Sequence, residues 1–311
     1  MSDSHKAVLH REQATEQAKE FNDLTSLLKE VIDYGTDLIP RAYANSPKDG
    51  KAACLIFILL RQCLMHLDGV EILVLAGNAS SARLQLRSLW EITILVEWIL
   101  AKDTDAKIRH FFVANIRRER QRHLIGLPNT PEATKYPDIA KFLSTSEELV
   151  RRIPSQIQVL DKLLLQPDLK PVDDKFQEYY TKHGYDKDWF KVYGLPSQSI
   201  SLRAIAKSIS KEFEYTWVYR PFSDDVHASD MWRSIQLGAG NRVWLTPIRE
   251  PQGIPETVQF AISFTARLYE MILNQYRPNE AADNFKRKKA EWEPRVRKQY
   301  HVTVNRRPLH I

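Results

Sequence analysis

Two long apolar segments, residues 50 to 76 and 80 to 100, stand almost back to back in this chain, separated only by Gly77-Asn78-Ala79. Apolar residues recur in both at steps of three and four, and each run is far longer than an ordinary strand, so both read as helices. Gly-Asn just past the last periodic residue is a helix stop, because glycine adopts the left-handed conformation that closes a helix without steric cost. In the second segment Leu84, Leu86, Leu89, Trp90, Ile94, Val96 and Trp98 are spread nearly all round the helix. A helix of that kind must be covered on most sides, and the pair is expected to form the heart of a bundle. The most apolar stretch, Ala52 to Leu60, is interrupted by Arg61 well before the roughly twenty residues needed to span a bilayer, so a buried helix and no membrane are expected. Arg61, His66, Asp68 and Glu71 give its continuation a polar stripe.

The same spacing predicts an amphipathic helix from Ala7 to Leu38, stopped by Pro40, with Leu24, Leu27, Leu28, Val31 and Ile32 inside. A more polar helix is expected from Thr104 to His123, carrying Arg109, Arg117, Arg118, Arg120 and Arg122, before a loop from Gly126 to Pro137. Then come a helix from Asp138 to Arg152, another after Pro154-Ser155, and an aromatic segment, Phe176 to Pro196, that shows no period and reads as a packed loop. Helices follow over Ser201 to Tyr215 and from Pro221, a residue suited to the first turn, where Asp224 and Asp225 would meet the positive end of the dipole. A Gly-rich connection, Gly238 to Gly253, holds at most a short hairpin about Val243 to Ile248, and a long helix runs from Glu256 to Tyr276 ahead of a basic terminal helix. The expected fold is all-α. Residues 1–49 form an N-terminal helix, 50–237 a helical core domain, and 238–311 a connecting loop and basic helices packed on the core.

With 43% hydrophobic and 27% charged residues in a chain of 311, a sizeable core is available and wholesale disorder is excluded. A net charge of +6 permits an anionic partner without requiring one. Cys54 and Cys63 are too few for a disulfide framework, and Met1-Ser2-Asp3-Ser4-His5-Lys6 lacks the form of a secretory signal, so a reducing cytoplasm is the expected compartment. No metal-ligand motif and no Gly-rich phosphate loop occurs, and no cofactor is expected.

Two places carry chemistry. Arg83, Arg87 and Glu91 fall at four-residue steps on one stripe of the apolar second segment, where buried charge must pair internally or line a pocket. Tyr219, Arg220, Ser223 and His227 cluster around the helix start at Pro221, and a titratable imidazole beside donors there could bind an anion or move a proton. The bland readings are a structural Arg-Glu pair, a capping Ser223 and a satisfied core His227. A third group, Lys286, Arg287, Lys288 and Lys289, with Trp292 and Tyr300 beyond it, reads either as a nucleic-acid-binding surface or as an exposed solvated helix interrupted by Glu291 and Glu293.

The stretch Ala82-Arg83-Leu84-Gln85-Leu86-Arg87-Ser88-Leu89-Trp90-Glu91, then Trp189, Ser199 to Ala206, and Tyr219-Arg220 with Ser223 and Val226-His227-Ala228-Ser229, resembles the bacterial domain-of-unknown-function family 5677 over residues 50 to 235. The resemblance maps the family's Arg-x-x-x-Glu onto Arg87 and Glu91 and its Tyr-x-x-x-Ser-x-x-x-His onto Tyr219, Ser223 and His227. It implies a helical fold and a candidate site, and no reaction. Arg220 and His227, with six residues between them, also resemble the Arg–His motif of HEPN-type helical ribonucleases, although Pro221 stands where those enzymes carry a polar residue. Arg61 with His66 and Arg118 with His123, each with four residues between them, also fall within that motif's range of four to six. That resemblance implies His227 as acid or base at an RNA 2′-hydroxyl and Arg220 against the phosphate charge, without a metal.

The expectation is therefore a pocket formed by Arg87, Glu91, Tyr219, Ser223 and His227 in an RNA- or phosphate-directed bacterial effector, in the manner of a toxin or defence protein. The competing expectation is a non-catalytic interaction protein in which the same five side chains form a buried network. Homodimerisation through the long apolar helices is the accessory expectation.

Overall fold

The computed structural model describes residues 9–47, 51–184, 189–194, 201–224, 235–237, 243–245 and 248–300. Their helices in chain order begin with α1 (Arg11–Ala18), α2 (Asn22–Ala44), α3 (Lys51–Leu75) and α4 (Ala79–Ala101). Next come α5 (Thr104–Ile125), α6 (Pro131–Lys135), α7 (Pro137–Ser144), α8 (Glu147–Leu164), α9 (Lys170–His183) and α10 (Trp189–Tyr193). They end with α11 (Ser201–Ser208), α12 (Glu212–Glu214), α13 (Arg220–Asp224), α14 (Ile254–Tyr276), α15 (Pro278–Glu280) and α16 (Lys286–Val296). The fold is all-α. Its only β structure among the described residues is β1 (Ile235–Leu237) paired antiparallel with β2 (Val243–Leu245), so the expected hairpin has its second strand at Val243.

The chain divides into two compact units, residues 1–101 with 205–311, and residues 102–204. This division cuts across the three consecutive segments expected from the sequence, because the N-terminal and C-terminal helices belong to the same core as α3 and α4. In the first unit α2, α3, α4 and α14 pack in a ring, each against the next, with α16 on α2. Leu24, Leu27, Leu28, Val31, Leu60, Leu67, Leu86, Leu89, Trp90, Leu268 and Ile272 are all fully buried between them. Each such side chain contributes about 1.5–3 kcal/mol by leaving water. Leu84, expected inside, is exposed. The α2–α14 contact depends on Gly35: a Cβ there would lie 1.9 Å from Tyr269 Oη, whose hydroxyl donates to the Val31 carbonyl at 2.9 Å. By length and composition alone α3 is the one described helix that could cross a membrane, and half of that stretch is buried within the unit.

Several boundaries differ from those expected, for identifiable reasons. The N-terminal helix is interrupted by a 3-10 turn, Lys19–Phe21, and α2 runs through Pro40. Proline removes the bond to the carbonyl four residues back, that of Thr36, and Thr36 is exposed, while Leu38 and Ala42 are buried on either side of the ring. Pro154 is likewise inside α8, and the segment from Asp138 to Arg152 is split between α7 and α8 at the Ser146 N-cap, whose Oγ accepts from the Leu149 amide at 3.4 Å. The aromatic segment expected as a loop is largely α9 and α10. Where the sequence reads correctly, the reason is visible: Gly77 has φ +71°, and the Gly77 and Asn78 amides donate back to Val74 and Leu73. Asn78 Oδ1 then caps α4 at the Ser81 amide, 3.2 Å away.

The helix expected to start at Pro221 starts at Glu212. It passes through a π-helical turn, Tyr215–Tyr219, and continues as α13, so Pro221 is interior and Asp224 lies well past the first turn rather than in it. A π-turn widens the backbone spiral and frees amide bonds, which accommodates a proline just beyond it. Asp225 and His227 lie outside the described residues.

Candidate functional site

Trp90 on α4 is fully buried, and the π-turn is built against it. The Trp90 and Tyr219 rings lie 4.8 Å apart, Trp90 and Tyr215 6.1 Å, and Tyr215 stacks on Tyr219 at 5.3 Å. This aromatic seam brings the Tyr219 hydroxyl to the edge of α4, where Arg87 and Glu91 stand one turn apart. Tyr219 Oη donates to Glu91 Oε1 at 2.8 Å, and Arg87 Nε donates both to that same oxygen at 3.0 Å and to Tyr219 Oη at 3.2 Å. The Arg87 guanidinium also lies 5.4 Å from the centre of the Tyr219 ring, a cation–π distance.

Three of the five side chains expected to converge therefore do so, in a closed triangle. Burial, then the Glu91 charge, pushes the Tyr219 phenol up to about 12, so it holds its proton and is no base near neutrality. Burial works against the charged form of Arg87, but Tyr219 and Glu91 outweigh it and hold its pKa above the usual arginine value. With Glu91 neutralising Arg87, the triangle is better suited to locking the π-turn onto α4 than to gripping an anion. Arg83 stands outside the triangle: it faces Glu256 at the start of α14, 3.7 Å away. Ser223, half-buried one turn beyond Tyr219, adds no bond to the triangle.

A second network, which the sequence reading missed, sits beside the first. Glu214 accepts from Trp90 Nε1 at 3.2 Å and from both terminal nitrogens of Arg267, at 2.7 and 2.9 Å, with Lys211 Nζ at 3.1 Å. Burial alone would raise the Glu214 carboxyl, yet Arg267 and Lys211 hold it below the usual range. Glu97 completes the group 3.6 Å from Arg267 Nε. Its four charges come from three segments far apart in sequence, and local spacing announces only the Lys211–Glu214 pair.

The opposite side of the same helix is open. Phe213 and Trp217 are 72% and 68% exposed, among the most exposed large apolar side chains described, and their rings are 6.2 Å apart. Arg220 is exposed three residues further on. These aromatics went unread because a four-residue aromatic spacing ordinarily marks a buried face.

Elsewhere the basic residues are largely answered. In α16 Lys289 pairs with Glu270 at 2.7 Å, Lys288 with Glu291 at 3.2 Å, and Arg287 donates to Asn284 Oδ1 at 2.6 Å, while Lys286 is exposed. Trp292, expected as a stacking surface, is buried against Tyr34 and Phe285. In the unit of residues 102–204 a cavity of about 570 Å³ is lined by Arg117, Arg120 and Tyr180 among others, but Asp173 and Asp161 pair with the two arginines at 2.5 and 2.6 Å. Residues 53–241 match the model of a family of unknown function (DUF5677), and no curated protein and no solved structure matches the chain.

Proposed function

The chain belongs to DUF5677, a family whose description assigns no activity, and on that premise we propose that it is a phosphate- or RNA-directed helical effector that cleaves RNA without a metal. The observation that supports this reading is the open side of the Glu212–Asp224 helix, where exposed Phe213 and Trp217 precede exposed Arg220. Aromatic faces stack on unpaired bases whatever their sequence, and a guanidinium beside them meets the backbone phosphate. The Arg87–Glu91–Tyr219 triangle then serves as the clamp that fixes this helix. His227, seven residues after Arg220, takes the proton of an RNA 2′-hydroxyl as that oxygen attacks the adjacent phosphorus. The 5′-oxygen departs and collects a proton from water, leaving a cyclic phosphate, and Arg220 offsets the charge on the phosphoryl oxygens. In the organism its role would be that of a bacterial toxin or defence protein.

The test is cleavage of total cellular RNA, with a chelator present, by wild type, His227→Ala and Trp217→Ala, after equal folding has been established by circular dichroism. Cutting by wild type that vanishes in His227→Ala and weakens in Trp217→Ala is the expected result. Intact RNA throughout, with no RNA bound by the wild type, sinks it. One observation favours a second reading, a non-catalytic interaction protein: the triangle is closed on itself, and Phe213 and Trp217 would then dock a protein partner.

A further inference from the structure

The side of α3 turned away from its own unit carries Ile58, Met65, Ile72 and Leu75, exposed by 48%, 60%, 60% and 46%. Of the exposed positions on this helix, 54, 58, 61, 65, 68, 72 and 75 alternate steps of four and three, the 3.5-residue repeat that keeps a straight seam along a paired helix, and Gln62 beside Arg61 is exposed as well. Isoleucine or methionine recurs every seventh place at 58, 65 and 72. The two places between them are filled by Arg61 and Asp68, both exposed, and neither forms an ion pair with another described residue. On α4, which meets α3 through a 2.7 Å contact between His66 Nδ1 and Gln85 Oε1, Leu84 is exposed as well. A line of large apolar side chains is costly to leave in water and marks an interaction surface.

We propose that this face of α3 is the interface of a homodimer, formed by the antiparallel pairing of α3 with α3 of a second copy about a two-fold axis at Met65. The pattern is self-complementary only in that arrangement. Ile58 faces Ile72 of the second copy, Met65 faces its own counterpart, and Arg61 lies beside Asp68 of the second copy on both sides of the axis. In a parallel pair Arg61 would meet Arg61 and Asp68 would meet Asp68, which repel. An isologous dimer contact of this kind makes each residue pair twice, so two Arg–Asp pairs flank one apolar centre. The inference stands on α3 alone and does not depend on the chain's activity towards RNA.

Sedimentation over a concentration series, with the full chain and charge-reversal variants at these exposed positions, tests it. Wild type is expected to pass from monomer to dimer. Arg61→Asp alone and Asp68→Arg alone each raise the dimer dissociation constant about tenfold or more, and the two together restore it. In a Cys54→Ser background, Met65→Cys cross-links across the axis on oxidation. Ile58→Cys does not, since its two copies lie about 21 Å apart along antiparallel helices. A wild type that is monomeric throughout overturns the proposal. So does a dimer indifferent to both reversals, cross-linking by Ile58→Cys, or a monomer that floats with phospholipid vesicles and so turns this face to lipid.

Discussion

The two units are held together by different means. In the unit of residues 1–101 with 205–311, helices of more than twenty residues lie side by side, and α2 and α14 each bury an apolar stripe along their length. In the unit of residues 102–204, α7 has no buried residue and α8 buries only Ile153 and Leu164. There α5 reaches out with charge instead: Arg117 to Asp173 on α9, and Arg120 to Asp161 on α8. Of the arginines of α5, Arg117 and Arg120 are thus internal staples. A helix that buries few apolar side chains is held to its partners by directional bonds, which salt and mutation reach more easily.

The sharpest way to break that contrast is Phe176→Ala. Phe176 is fully buried at the centre of the thin core of residues 102–204, and its loss is expected to cost about 3–5 kcal/mol, with amide protection falling through α5 and α9 in hydrogen exchange. Protection unchanged there would mean that the ion pairs suffice. Next in size is Tyr219→Phe, which removes the one hydroxyl that closes the triangle and should lower stability by about 1 kcal/mol in chemical denaturation. The phenol is held protonated up to about 12 in the folded chain against 10 when free. Its contribution is therefore complete below pH 10 and is lost as the pH rises towards 12, and the variant should show a shallower alkaline decline than wild type. Smallest is Asp161→Ala: its pair with Arg120 is about two-fifths exposed on each side, and thermal melting should move by no more than about 0.5 kcal/mol, less still in high salt.

What could be read in the sequence follows the same division. The helices α3, α4 and α14 announce themselves because a long apolar period has no other stable solution, and Gly77-Asn78 marks its stop unambiguously. Arg87, Glu91 and Tyr219 were legible because charge on an apolar helix must be answered. Pro40, Pro154 and Pro221 misled, since each lies in a helix whose neighbouring residues pack well enough to carry it through. The split at residues 101 and 205 was hidden because the first unit is assembled from two distant stretches of chain, and only contacts reveal that. Phe213 and Trp217 were overlooked for the opposite reason: their spacing is visible, but their exposure is decided by Tyr215 and Tyr219, which take the buried side of the same helix.

The π-helical turn at Tyr215–Tyr219 has a bearing on how this protein could change over time. Such a turn absorbs one surplus residue locally, so the helix beyond it keeps the face it would have had in a chain one residue shorter. A deletion within this turn would be taken up by relaxation to an ordinary α-turn, leaving Phe222 against Phe260 of α14. The same deletion in the middle of α4 would rotate everything after it by about 100° and scatter the core. The seam between the aromatic helix and α4 is thus a place in the first unit where length itself is negotiable.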